Sequence, residues 1–184
     1  MASAKVEEVI RNVNMVSPDI KNEILMLHSE LRKGNANALI ALGILHQSKT
    51  KNYPEMTKCF TTAINKGDMP HKGYAALCLS IHHKNITQDK EQMMHYLKIA
   101  VENNNCEAMF YLGMIHYENQ DFKDADPVLF RSAMLGHVLS AEFIVKRHVK
   151  QNQKHDPIVL ALLKFLQKYN RMPDGYQKIL QKIL

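Results

Sequence analysis

One sequence pattern recurs every 35 residues, and it limits what this chain can fold into more than any other feature. A small residue followed four positions later by leucine occurs three times, at Ala38 and Leu42, at Gly73 and Leu77, and at Ala108 and Leu112. Each pair precedes a polar stretch and a second apolar segment, as in NCEAMFYLGMIHYENQDFKDADPVLFRSAMLG over 105–136. A fixed period of this length is typical of stacked helical repeats. The pattern therefore predicts an all-α fold built from helix-turn-helix units.

The repeats predict a single α-solenoid domain over residues 1–184. Its parts are N-terminal helices in 1–34, four repeats in 35–67, 68–104, 105–136 and 137–170, and a C-terminal capping helix in 171–184. The small residue lets the two helices of a unit approach closely, and the leucine fills the space between them. Because each unit alone leaves one apolar face open, stacking supplies the core and the last helix covers its end.

Helix start signals indicate several boundaries. Ser17 can cap the free N–H groups of a helix that begins at Pro18, and Asp156 precedes Pro157 in the same way. The first of these helices is expected to end at Gly34 and to bury an apolar stripe, Ile20, Ile24, Leu27 and Leu31. Helical spacing also predicts a short helix over 5–15 and a terminal helix over 174–184.

Residues 34–143 resemble the Sel-one-like repeat family, a relative of the tetratricopeptide repeats. The resemblance is carried by ALIALGILH, GYAALCLSI and AMFYLGMIH, and by the endings CFTTAINKG, YLKIAVENN and LFRSAMLGH. It implies a right-handed superhelix that acts as an adaptor or scaffold, without intrinsic catalysis. The chain departs from the family where tyrosine is usual, at His46, Ile81 and His116, and where glycine is usual, at Cys78 and Lys146.

Composition bears on the compartment and on partners. The three cysteines are odd in number and form no C-x-x-C pair, so we expect free thiols in a cytoplasmic or nuclear protein. No apolar run approaches the roughly 18 residues of a membrane span, and the acidic, alternating N-terminus does not resemble a secretory signal.

No motif in the sequence indicates an enzyme. The chain has no G-x-S-x-G elbow, no glycine-rich phosphate loop and no H-E-x-x-H pattern. Its ten histidines show no metal-ligand spacing, and His46 and His116 occupy equivalent places two repeats apart. We therefore expect no catalytic residue, no metal site and no cofactor.

We call the first helix of each repeat its leading helix and the second its trailing helix. The leading helices of such repeats line the concave face of the array, and their outward positions are the candidate partner-binding residues. These are Asn37, Ile40, Ile44, Lys72, Leu79, His82, Phe110, Met114, Tyr117, Phe143, Arg147 and Lys150. An apolar middle with a polar and basic end suits a groove that binds a peptide or helix of a protein partner. The alternative is that these residues face neighbouring helices. We expect alanine at Phe110 and Phe143 to abolish partner capture while the array stays folded.

The C-terminal quarter is basic and suggests a different function. Residues 145–184 hold nine basic and two acidic side chains, within a chain of net charge +6. The alternative to peptide binding is RNA or ribonucleoprotein binding through Lys146, Arg147, Lys150, Lys154, Lys164, Lys168 and Arg171. Phosphate contacts of that kind weaken steeply with salt. The basic residues could equally form a solvated face that keeps the chain soluble.

Overall fold

The computed structural model describes residues 17–151, 156–169, 171 and 176–183, apart from the side chains of Met69, Ile179, Lys182 and Ile183. Within those ranges every regular element is helical and no strand occurs, which confirms the all-α prediction. The helix expected over 5–15 lies outside the described residues.

Ten α-helices follow one another in the described part of the chain. They are α1 Pro18–Arg32, α2 Asn37–Leu45, α3 Tyr53–Lys66, α4 Met69–His82, α5 Lys90–Glu102, α6 Cys106–Glu118, α7 Phe122–Met134, α8 Val138–Lys150, α9 Pro157–Lys168 and α10 Tyr176–Ile183. A π-helical turn extends α2 over His46–Thr50, and a second extends α4 over His83–Thr87.

The chain forms two compact units, Met1–Asn103 and Asn104–Leu184. In the first unit each of the helices α1 to α5 packs on its neighbour in sequence, and in the second unit α6 to α10 do the same. Consecutive packing of this kind is compatible with a helical solenoid. That the whole of 1–184 is one right-handed domain stays a prediction.

Close approach between a leading and a trailing helix defines the core of each unit. In the first unit a Cβ atom built on Gly43 of α2 would lie 2.5 Å from Cε1 of Phe60 on α3, and Phe60 is fully buried. In the second unit a Cβ on Gly113 of α6 would lie 2.5 Å from Cγ of Leu129 on α7. Only glycine leaves room for these two side chains.

The small and large residues of the repeat pattern are buried as predicted. Ala38, Leu42, Leu77 and Ala108 are all at most 2% exposed, as the pattern predicts. In the third repeat Leu129 packs beside Gly113, and Phe130 is half-buried and packs against the same core.

Helix α1 begins as predicted but is buried less than predicted. The Ser17 hydroxyl accepts a hydrogen bond from the Ile20 N–H at 3.4 Å, and Gly34 adopts φ +88° just beyond the helix end. The expected apolar stripe is only half-buried, because α1 packs on α2 alone among the described helices. Leu25 and Met26 are 63% and 59% exposed.

In three repeats a hydrogen bond to a histidine carbonyl spans the connection between the leading and the trailing helix. The His46 carbonyl accepts the Asn52 N–H at 3.0 Å, and the His83 carbonyl accepts the Asp89 N–H at 3.1 Å. A π-helical turn and a left-handed residue lie within each connection, where the sequence predicted only a loop. In the third repeat the His116 carbonyl accepts from Asp121 at 2.9 Å. His83 rather than Ile81 is therefore the structural counterpart of His46 and His116.

The C-terminal helix packs on the core of its own unit. Leu180 of α10 is 4% exposed and belongs to the apolar cluster that includes Val159 and Leu163 of α9. Tyr176 packs against the same cluster. The predicted start of α9 is confirmed, since the Asp156 carboxylate accepts the Ile158 N–H at 2.9 Å. The described residues of α10 therefore seal this end of the second unit.

Alanine at Gly43 or Gly113 tests the close approach of the helices. Replacing an exposed glycine in a helix by alanine usually raises the free energy of unfolding by about 1 kcal/mol. Here the added methyl group meets Phe60 or Leu129, so we expect a loss of roughly 1–3 kcal/mol in the free energy of urea unfolding. The control is Cys78→Ala, at the equivalent position that already carries a Cβ atom. A Gly113→Ala variant as stable as the parent chain would contradict the packing described.

Candidate functional site

The predicted partner-binding residues of the first unit do not form an open face. Leu79 and His82 are 0% and 5% exposed, which corrects their assignment to a groove. Leu79 belongs to the core with Met56 and Phe60, and the His82 ring lies 5.0 Å from the Tyr53 ring. The reason is that α4 packs on α3 on one side and on α5 on the other. The remaining positions differ in burial: Asn37 and Ile44 are exposed, and Ile40 and Lys72 are half-buried.

In the second unit the predicted aromatic anchors pack against the core. Phe110, Tyr117 and Phe143 are half-buried on the cluster formed by α7 to α10, and Phe110 also lies 4.9 Å from the His137 ring. Alanine at Phe110 and Phe143 would remove core packing, so this double variant does not separate partner capture from folding. Met114 is half-buried and Lys150 is exposed.

A small pocket brings two of the predicted residues together with three others. It is lined by Tyr117 of α6, Phe122 and Asp126 of α7, and Arg147 and Gln151 at the end of α8, and its volume is about 210 Å³. Sites for drug-sized ligands begin at roughly 300 Å³. The pocket therefore has room for one large side chain rather than for a cofactor.

An ion pair forms the polar end of the pocket. Both terminal nitrogens of Arg147 donate to the Asp126 carboxylate, with Nη2 at 2.6 Å from Oδ2. Hydrogen bonding to Asp126 raises the pKa of Arg147 above its ordinary value. The Arg147 side chain is 18% exposed and that of Asp126 is 39% exposed, so the carboxylate still faces solvent. Within the described residues the buried Nε of Arg147 has no hydrogen-bond acceptor.

Two aromatic rings, those of Tyr117 and Phe122, line the apolar side of the pocket, and Phe143 packs against Tyr117. The Phe143 and Tyr117 ring centroids are 4.9 Å apart at 89°, and those of Tyr117 and Phe122 are 5.1 Å apart at 67°. Edge-to-face rings at these separations attract each other beyond the gain from burial. Phe122 stands at the end of the row and is 48% exposed. One ring face or edge at the pocket is therefore free to take a further apolar group.

Sequence reasoning missed Phe122, Asp126 and Gln151 because it considered only the leading helices. Phe122 is the first residue of trailing helix α7, and Asp126 lies one turn further along. Their partners Tyr117 and Arg147 belong to two different leading helices. No periodicity links residues 21 positions apart, although the opposite charges of Asp126 and Arg147 were visible in the sequence.

A cluster of one histidine and two aspartates near the pocket has the spacing to hold a metal ion, although the sequence predicted none. Ligand atoms of His116, Asp121 and Asp124 lie within 4.8 Å of one another. His116 Nδ1 is 3.3 Å from Asp121 Oδ2, and this contact accounts for the grouping without an ion. Both carboxylates are exposed and lie at the N-terminus of α7, Asp121 as the N-cap and Asp124 in the first turn, where the helix dipole disfavours a cation. We assign no metal to this group.

A serine–histidine chain in the second unit has no catalytic geometry. His137 Nδ1 lies 2.9 Å from Ser140 Oγ, which donates to Ser132 Oγ at 2.7 Å, and Ser132 Oγ donates to the Cys106 carbonyl at 2.6 Å. Both serines are 0% exposed. Their hydroxyl groups satisfy buried acceptors and are closed to a substrate.

The basic residues of the C-terminal quarter fall into two sets. Lys146 lies 3.5 Å from the Glu142 carboxylate, and Arg147 is paired with Asp126, so both are neutralised locally. The second set comprises Lys150, Lys164, Lys168, Arg171 and Lys178, which are exposed and form no ion pair with another described residue. Lys168 Nζ lies 5.9 Å from the centroid of the exposed Tyr169 ring. Lys154 lies outside the described residues.

Comparisons with known proteins identify no relative. No protein-family model, no curated protein and no solved structure matches the chain. Among the described helices, none combines the length and hydropathy that crossing a membrane requires. Geometry and chemistry alone therefore support the functional proposal.

Buried histidines predict that the chain loses stability in mild acid. Burial lowers the pKa of His46, His82 and His137 below the ordinary value of 6.5. The unfolded chain then binds more protons than the folded chain as the pH falls through 6.5, so the free energy of unfolding decreases from there toward the lower, folded pKa values. We expect the urea midpoint to be constant above about pH 7.5 and to fall between pH 7 and 5.

The variant His82→Phe tests whether His82 contributes to this acid sensitivity, because it keeps a ring beside Tyr53 and removes the titrating group. Its urea midpoint should fall less between pH 7 and 5 than that of the parent chain. An identical slope in the His82→Phe variant would show that this histidine does not contribute.

Proposed function

We propose that this chain is a non-enzymatic protein-binding module, an adaptor or scaffold of the Sel-one-like type, in which helical repeats stack as a right-handed solenoid. It binds a peptide or helix of a protein partner through the pocket formed by Tyr117, Phe122, Asp126, Arg147 and Gln151. The pocket replaces the long groove expected from the sequence, whose members Leu79 and His82 are buried.

The pocket is the observation that carries this proposal. It combines an apolar wall with a small number of polar groups, which is the composition of protein sites that recognise one side chain of a partner. Its size excludes a large metabolite, and its position at the ends of α6 and α8 and the start of α7 leaves it accessible to a peptide. Tyr117 and Arg147 belong to the residues that the sequence pattern selected.

A non-enzymatic role is supported by the state of the reactive groups. Asp126 and Arg147 are committed to each other, and the buried serines already donate their hydrogen bonds. An acid–base pair for catalysis would need pKa values moved toward neutrality and a hydrogen bond to substrate, whereas the pKa of Arg147 is raised. The free cysteines fit a reducing compartment, such as the cytoplasm or the nucleus.

One observation favours RNA binding as a second candidate function. Lys164, Lys168 and Arg171 are exposed along the end of α9 and beyond it, and Lys168 Nζ lies 5.9 Å from the centroid of the exposed Tyr169 ring. Cationic side chains beside an aromatic ring can contact phosphates while the ring stacks on a base. This surface does not share a residue with the pocket.

Selection of peptides from a random display library tests the proposed function directly. We expect the full chain to enrich one peptide class, and Phe122→Ala to weaken those peptides at least tenfold, because their contact with the half-exposed ring is lost. The matched control is Tyr169→Ala, which removes an equally exposed ring of the same unit outside the pocket. The proposal fails if no class is enriched, or if enriched peptides bind Phe122→Ala as tightly as the parent chain.

Fluorescence anisotropy with a labelled single-stranded RNA tests the second candidate. If RNA is the partner, a Lys164→Ser, Lys168→Ser variant should bind more weakly, and the salt dependence of log K should become shallower by about two phosphate contacts. Phe122→Ala should bind RNA normally. An affinity that hardly changes with salt would eliminate this function.

A further inference from the structure

We propose that the pocket of the second unit is specific for a tyrosine side chain presented by the partner. This inference rests on the proposed function and adds the chemical class of the group that is bound. A tyrosine ring would lie against Phe122 and Tyr117, with its hydroxyl group directed to Asp126 and Gln151.

The apolar part of the pocket fits one aromatic ring. The row from Phe143 through Tyr117 to Phe122 consists of edge-to-face contacts, and its last ring is 48% exposed. An added ring would continue the row by the same geometry, with the attraction that aromatic pairs have in excess of burial. The volume of about 210 Å³ limits the guest to a single side chain.

The polar end of the pocket requires a hydrogen-bond donor on that ring. Each oxygen of the Asp126 carboxylate accepts one hydrogen bond from Arg147, which leaves further lone pairs on a carboxylate that is 39% exposed. A phenol O–H that donates to this carboxylate makes a charge-assisted hydrogen bond. The phenol oxygen can in turn accept from the amide of Gln151. A phenylalanine ring would cover the same lone pairs and leave them without a donor.

The charge of the pocket disfavours the charged side chains. Asp126 and Arg147 neutralise each other, so neither a lysine nor a glutamate gains net attraction at this end. A charged guest would also give up its water for a pair whose charges already cancel. A neutral ring with one hydroxyl group satisfies both the apolar wall and the carboxylate.

The test is a titration of the ¹⁵N-labelled full chain with four small probes, followed by ¹H–¹⁵N correlation NMR. The probes are N-acetyltyrosinamide, N-acetylphenylalaninamide, N-acetylleucinamide and N-acetylargininamide. We expect the tyrosine probe to shift amide signals of 117–126 and 147–151, and to bind about tenfold more tightly than the phenylalanine probe, the factor expected for a hydrogen bond to a charged group.

Two variants separate the ring contact from the hydrogen bond. Phe122→Ala should weaken the tyrosine and phenylalanine probes together, whereas Asp126→Asn should reduce the preference for tyrosine over phenylalanine. Tyr169→Ala should change neither the affinity for the two aromatic probes nor the preference for tyrosine over phenylalanine. Thermal unfolding of each variant establishes that it is folded. If Asp126→Asn does not fold, the ratio of the tyrosine and phenylalanine probe affinities for the parent chain, and the probe affinities of Phe122→Ala, still test the proposal.

Equal binding of tyrosine and phenylalanine or leucine probes would overturn tyrosine specificity while leaving a peptide pocket in place. Preference for the arginine probe would overturn it in favour of a cation site. If no probe shifts 117–126 or 147–151, the pocket is not a tyrosine site, and the display selection decides independently whether the chain binds peptides at all.

Discussion

The contact between a glycine on a leading helix and a large side chain on the next helix is the constraint on which the rest of the structure depends. The Phe60 ring packs against Gly43 and Leu129 packs against Gly113, in each case so closely that a Cβ atom on the glycine would clash with the side chain. These contacts set the separation of α2 from α3 and of α6 from α7. In the second unit that separation, together with the short connection closed by the His116 carbonyl, places Phe122 beside Tyr117.

The pocket follows from this packing and from one long-range ion pair. Tyr117 lies in the last turn of α6, Phe122 begins α7, and Arg147 reaches Asp126 from α8, so three successive helices each contribute to one small site. The site combines two aromatic rings with an ion pair, which suits one amphipathic side chain. The basic surface at the end of α9 is built from different residues, so a peptide and an RNA would use separate parts of the unit.

Much of the fold could be predicted because helical periodicity and capping are local. The buried faces at Ala38, Leu42 and Ala108 and the helix starts at Pro18 and Pro157 were read from neighbouring residues. Periodicity shows which face of a helix is apolar but does not show what covers it, so the burial of Leu79 and His82 was missed. The π-helical turns and the Asp126–Arg147 pair depend on contacts that no repeat pattern encodes.

Hydrogen–deuterium exchange of the full chain, with and without a peptide recovered by selection, shows directly whether the pocket is the binding site. Exchange should become slower in 115–126 and 145–151, where the pocket residues lie, because a bound side chain excludes water and restrains local opening. Exchange in α1, which has no fully buried residue, should not change. Protection confined to 18–103, or to 157–171, would contradict a binding site at the pocket.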